Sequence, residues 1–317
     1  MLLKLIFVSL YADYFSGTYQ DIVSSSLVSS FTGDGCWIHS CFFSGLSNRA
    51  ISLSQEGSKI CIEKSVFEAC SSSGIGGAIY VSGTTSQVVM VSCCGVLCSS
   101  MSSSHFAYLA GSIIRVNHTS FYKCAQNSQI FHSFKLYKGQ QLSFYDNSTK
   151  NDSNAYSGMI FHEPVSNNFG FSTLISNHAY QLIIISFVTG PSFSTHVNFV
   201  NNSQALDTWG LICNDYSGST TLEYWVVANN ISPYMFAING GSFKVYHSSC
   251  QANTYWAYSG GPVVFSNCTI QYPSHQFKHF STAFCNNGEA LHTLSPSRQL
   301  LPRFLYLYIV VFFLESV

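Results

Sequence analysis

The residues that could do chemistry are few and do not converge. Asp and Glu total 14 in 317 residues, and paired carboxylates would be needed to hold Ca²⁺ or to act as acid and base on a sugar. Asp207 and Asp215 could approach across a turn, but turn capping is the commoner role for aspartates so placed. Glu289 and Glu315 stand 26 residues apart, in the tail. His275 and His279 are the sole close pair among 11 histidines. On a helix they would share a face as metal ligands, yet Pro273 precedes them and no HExxH glutamate lies between. Arg49 and Arg115 have no evident acidic partner or companion base. Gly74-Ile75-Gly76-Gly77 lacks the GxGxxG spacing and reads as a turn. These residues assign no catalytic, cofactor-binding or metal-ligating position and point away from an enzyme.

The 12 cysteines fall at 36, 41, 61, 70, 93, 94, 98, 124, 213, 250, 268 and 285. None forms a CxxC pair, so zinc-ribbon and thioredoxin-like readings lack their basic spacing. Glycosylation sequons stand at Asn117, Asn147, Asn151, Asn201, Asn230 and Asn267. Met1 to Ala12 (MLLKLIFVSLYA) resembles a secretory signal with a short apolar core; a first strand is the alternative. Together these features favour an oxidising, extracellular setting, secreted or at the cell surface. The competing reading is an intracellular chain with buried thiols. Near the other end, Phe304 to Leu314 is an apolar run that as it stands does not span a bilayer; it reads as the start of a truncated anchor, an interfacial segment with weak membrane association, or a covering element for the domain end.

The elements that would carry these residues are strands. Hydrophobic residues make up 47% and charged residues 9%, with a net charge of −1. That balance excludes disorder, offers no basic field for nucleic acid, and disfavours a charge-laced helical bundle. Two patterns alternate along the chain. One is aromatic-x-x-Cys/Asn: Phe67-Cys70, Phe121-Cys124, Phe144-Asn147 and Phe199-Asn202, with looser copies at Val91-Cys94, Val226-Asn229 and Cys250-Asn253. The other is a short burst such as Gly77-Ala78-Ile79, with Ile160, Ile212 and Ile238 in the same slot. Bursts of this length bounded by Gly, Ser and Asn are strands, and no helical stripe competes.

Units recurring every 24–28 residues cannot bury their own apolar sides; stacking them does. The spacing is too short for a propeller blade, and a sandwich would show no fixed period. The expected fold is all-β, a parallel β-helix of roughly nine or ten coils over residues 36–287. Residues 13–35 are expected to lead in and cap it, and residues 288–317 to form a tail. Cys70, Cys94 and Cys124 are expected to share one slot on successive coils, either bridged or as stacked thiols. Ile51, Ile79, Ile160, Ile184, Ile212, Ile238 and Val264 are expected to point inward as one column, with a further coil near Ile114.

Phe67-x-x-Cys70, a Ser/Gly loop and then Gly76-Gly77-Ala78-Ile79 resemble the GGA[ILV] and FxxN repeats of chlamydial polymorphic outer-membrane proteins. They are closer still to large Cys-bearing relatives on trichomonad protists. The resemblance covers most of residues 36–270, with one intact GGAI copy. It implies a right-handed, pectate-lyase-like solenoid displayed at a cell surface, non-enzymatic, adhering to a protein or glycan partner and needing no cofactor. A counterpart of the bacterial members' translocating barrel is not expected. A carbohydrate-active enzyme on the same fold, and a fragment of a longer surface protein, are the competing readings.

Overall fold

The structure, a computed structural model, describes residues 14–125, 132–153, 156–204, 210–216, 218–250, 255–259, 261–270 and 274–277. The signal-like stretch 1–12, the apolar run 304–314, and Asp207, His279, Glu289 and Glu315 lie outside the described residues.

Short strands of Ile, Val and Phe pair in parallel, each with the strand one coil away. Nine of them, among them Ile51–Leu53, Ile79–Val81, Gln181–Ser186 and Phe236–Asn239, form the first face. Nine strands make about eight turns of solenoid, close to the number of coils expected. Parallel neighbours must be joined by crossovers, which are right-handed in L-polypeptides, and the fold is a right-handed parallel β-helix. The remaining long sheet, of 18 strands, supplies the second and third faces. One coil runs Ile51–Leu53 on the first face, Lys59–Glu63 on the second and Val66–Glu68 on the third. Tyr19–Ile22 pairs with Gly35–His39, so the expected lead-in already contributes a rung.

The corner between second and third faces is a single left-handed residue in each coil. Ser40, Lys64, Ser92, His118, Tyr145, Phe171, His196, Tyr224, His247 and Asn267 hold φ between 45° and 57°. Non-glycine residues avoid this conformation, so each is held there by the coils on either side. Two strands pass through the corner unbroken, Ser166–Ile175 and Ser192–Val200.

The inward column of the first face is Ile51, Ile79, Ala107, Phe134, Met159, Ile183, Ile212 and Phe236, in register. Ile51, Ile79 and Ile212 thus share the expected column. Ile238 is buried in the same core, two residues further along its strand, opposite Asn214 and in register with Ile185 two coils away. Ile160 and Ile184 do not. They lie on the outer side of the face, where they form a separate buried apolar cluster with Cys213 and Ala237. Val264 stands on the second face, opposite Lys244, and is 44% exposed. Ile114 is buried but also belongs to the second face, opposite Val88 and Gln141.

The third face carries the aromatic column: Phe43, Phe67, Gly95, Phe121, Ser148, Leu174, Phe199, Val227 and Cys250 are in register. At Gly95 an added Cβ would lie 2.4 Å from the Phe106 ring. That ring takes the vacated place, bridging Phe67 at 5.9 Å and Phe121 at 6.2 Å. Gly77 is needed because a Cβ would come within 2.1 Å of the His105 carbonyl and 2.3 Å of that of Ser99.

Three residues after the aromatic column runs a ladder: Cys70, Cys98, Cys124, Asn151, Asn177, Asn202 and Asn230. Asn151, Asn177 and Asn202 each donate an Nδ2 hydrogen to Oδ1 of the next asparagine, at 3.0, 3.1 and 3.1 Å. The same Oδ1 atoms accept the backbone N–H of the preceding coil at 2.9–3.0 Å. Nδ2 of Asn177, Asn202 and Asn230 also reaches back to the carbonyls of Ser148, Leu174 and Phe199. In the earlier coils the Cys70 and Cys98 thiols donate to the equivalent carbonyls of Phe43 and Phe67. Thiol and amide therefore fill one slot because both can donate to that carbonyl, although only the amide also accepts strongly.

The expected slot is right at Cys70, Cys124 and Asn202, four residues off at Cys94 and Asn147 and one residue off at Asn229, while Asn253 lies outside the described residues. Cys98, not Cys94, lies between Cys70 and Cys124. Cys94 is disulfide-bonded and belongs to an outer apolar cluster with Val66 and Val96. Asn147 opens the third-face strand opposite Ser120, Phe144 ends a second-face strand, and the true copy in that coil is Ser148-x-x-Asn151. Cys70, Cys98 and Cys124 are free thiols, so this part of the ladder is stacked rather than bridged.

Candidate functional site

Of the acids that could pair, only Asp215 lies among the described residues. Asp215 ends a first-face strand and its Oδ1 accepts from Asn239 Nδ2 at 2.7 Å, while partial burial raises its pKa. Among the described residues no group of three or more His, Cys, Asp or Glu side chains is placed to hold a metal. A cleft of about 430 Å³ is walled by Ser71, Ser72, Ser99, Ser100, Met101 and His105. The His105 imidazole accepts the Ser100 N–H at Nδ1, and among the described residues no carboxylate lines the cleft.

Two acids are buried beside the corner, Glu63 before Lys64 and Asp146 after Tyr145. Asp146 accepts the Ser143 hydroxyl at 2.6 Å and the Thr119 N–H at 2.9 Å, and is 2% exposed. Burial pushes its pKa up to about 7 from 3.8, against the pull of those two donors. A group raised in this way stabilises fully below its unfolded pKa and loses that contribution as pH rises through the folded one. Asp146→Asn, which keeps an acceptor for Thr119, should flatten the loss of thermal stability between pH 4 and 7.5. A separation of that size corresponds to about 4 kcal/mol. Identical pH profiles for the two proteins would refute the burial argument.

What the outer surface does gather is rings. On the first face Tyr80 stacks on Tyr108 at 5.4 Å, and Tyr108 contacts Tyr137 at 6.0 Å. The file continues through His162 and Phe187 to Tyr216, with centroids 5.3–5.6 Å apart. Cations sit among these rings: Arg49 lies 4.8 Å from the Tyr80 centroid, Lys138 5.2 Å from Tyr137, and Lys135 5.5 Å from Tyr137 and 5.9 Å from Tyr108. Burial lowers the Lys135 pKa, with Glu163 opposing, and burial raises that of Tyr108. Phe187 and Tyr216 are 43% and 58% exposed.

A second file follows the left-handed corner. His118, Tyr145, Phe171, His196, Tyr224 and His247 stack at 4.8–5.4 Å, one ring per coil. The signal for both files was present in the sequence. Positions 80, 108, 137, 162, 187 and 216, and 118, 145, 171, 196, 224 and 247, recur at the coil period.

The sequons are dispersed. Asn201 and Asn267 are exposed, each in a left-handed turn, and Asn117, Asn147 and Asn230 are half-buried. Asn151 is fully buried with its amide in the ladder, so the folded coil leaves no room for a glycan there. Comparison with known proteins gives no match among family models, curated proteins or solved structures.

Proposed function

We propose that the chain is a non-enzymatic scaffold, secreted or held at a cell surface, that displays a binding strip to a protein or glycan partner. The first-face file carries this reading. A solenoid closes its core with inward side chains, yet here Tyr80, Tyr108, Tyr137, Phe187 and Tyr216 stand in a row outside it with Arg49, Lys135 and Lys138 among them. Aromatic residues and arginine dominate the energetics of protein surfaces that bind. The edge-on phenols and the ammonium groups supply donors at the coil spacing, suited to an elongated partner. The resemblance to polymorphic outer-membrane proteins, the sequons and the signal-like start support placement outside the cell.

The test is a binding survey of the purified chain on immobilised oligosaccharides and on intact cells. Lys135→Gln and Tyr108→Ser should each weaken whatever binding is found by about tenfold, roughly the 1.4 kcal/mol of one good surface contact. Binding unchanged by both substitutions would move the partner surface elsewhere. Release of unsaturated uronate products would replace the scaffold by an enzyme.

A further inference from the structure

The corner file has an occupant. Residues 274–277 return to the solenoid and lie along it, 77 residues in sequence from their main contact, Asn198. The His275 N–H donates to Asn198 Oδ1 at 2.9 Å and Asn198 Nδ2 donates to the His275 carbonyl at 2.8 Å. This reciprocal pair imitates the two bonds exchanged by neighbouring strands. His275 Nε2 stands 2.6 Å from the Tyr224 carbonyl, which can only accept, so that nitrogen carries the proton. The side chains at 275 and 277 fall on one side, as alternate residues of an extended segment do. His275 lies 5.2 Å from His196, and Phe277 lies 6.1 Å from Phe171. The file continues beyond this segment on both sides, to Tyr145 and His118 and to His247.

We propose that this corner is a docking groove for an extended peptide with aromatic or imidazole side chains at alternate positions, and that residues 274–277 fill it in cis until a partner protein's segment of that chemistry displaces them. Asn198 supplies backbone recognition, and the ring file supplies side-chain recognition. The groove is separate from the first-face file and does not depend on the function assigned to it. A tethered occupant acts at a high local concentration, so it masks the groove from a free competitor. Among the described residues the titratable groups against the strap are His196 and Tyr224, with His247 stacked on Tyr224 and Glu223 beside His247. Burial first, then His275, holds the His196 pKa down, with Glu223 opposing. Acidification forces charge onto His196 beside a second imidazole, and the strap should loosen as pH falls.

The experiment uses the full chain, a His275→Ala/Phe277→Ala double variant, and a labelled synthetic peptide reproducing residues 272–279. Fluorescence anisotropy at neutral pH should show saturable binding to the double variant and at least about tenfold weaker binding to the unaltered chain. A peptide with alanine at both ring positions should not bind, and the genuine complex should weaken at about pH 5. Because the strap variant could be destabilised, hydrogen exchange is measured on the unaltered chain as well. The His275 amide should be protected there, and Asn198→Ala should abolish that protection. Absence of peptide binding by a double variant that melts like the unaltered chain, or a His275 amide exchanging at the free-peptide rate, would overturn the groove.

Discussion

Ile212→Asp should abolish cooperative folding. Ile212 is fully buried in the inward column of the first face, between Ile183 and Phe236, and that column contains no basic residue from Ile51 to Phe236. A carboxylate there has neither water nor a counter-ion. The effective penalty of several kcal/mol for burying an ion is comparable with the whole stability of a domain, about 5–15 kcal/mol. The matched control is Ser219→Asp, on the exposed start of the neighbouring second-face strand. The control should change the melting temperature by no more than a few degrees, as surface substitutions do. Thermal melting followed by far-UV circular dichroism decides the matter, and similar transitions for both variants would mean that the inward column is misassigned.

The second large effect belongs to the asparagine ladder. Asn177 donates through Nδ2 to the Ser148 carbonyl and to Asn202 Oδ1, and accepts at Oδ1 from the Asn151 N–H and amide. Asn177→Leu keeps the volume but leaves a buried N–H and a buried carbonyl without partners. At about 1–3 kcal/mol for each stranded group, the loss from the two should be about 2–6 kcal/mol. Asn177→Cys restores a donor to the Ser148 carbonyl, as Cys98 supplies one to Phe67 three coils earlier. It should therefore recover part of that loss. Equal destabilisation by Leu and Cys, measured by urea unfolding, would show that the thiol and amide positions are not equivalent.

The architecture was legible because the period is long-range and the residue types repeat. The register was less so, for reasons that can be located. Gln181–Ser186 is buried at every position, since its outer side is covered as well as its inner one. A strand buried on both faces loses the alternation that distinguishes inside from outside, so the sequence does not separate Ile184 from Ile183. At Val91-Cys94 and Phe144-Asn147 the aromatic-x-x-polar pattern straddles the corner, four residues before the ladder position. The ladder itself is regular, at 70, 98, 124, 151, 177, 202 and 230. Chance matches masked it where Gly95 and Ser148 replace the phenylalanine. The candidate site was missed for a different reason. A search for convergent acids finds nothing in a chain with 14 of them, whereas the rings that line the outside are spaced by one coil and carry no catalytic motif.

The inward columns and the ladder make the fold, and the outward file of rings is the proposed binding strip. The most direct measurement takes a Tyr108→Ser/Tyr137→Ser variant through thermal melting and cell-surface binding on the same preparation. Both tyrosines are only half-buried, on the outer side of the first face. The predicted result is a melting temperature lowered by a few degrees at most, with binding reduced by at least about tenfold. A collapsed transition, with undiminished binding by the fraction that remains folded, would make the file a structural brace and contradict the account.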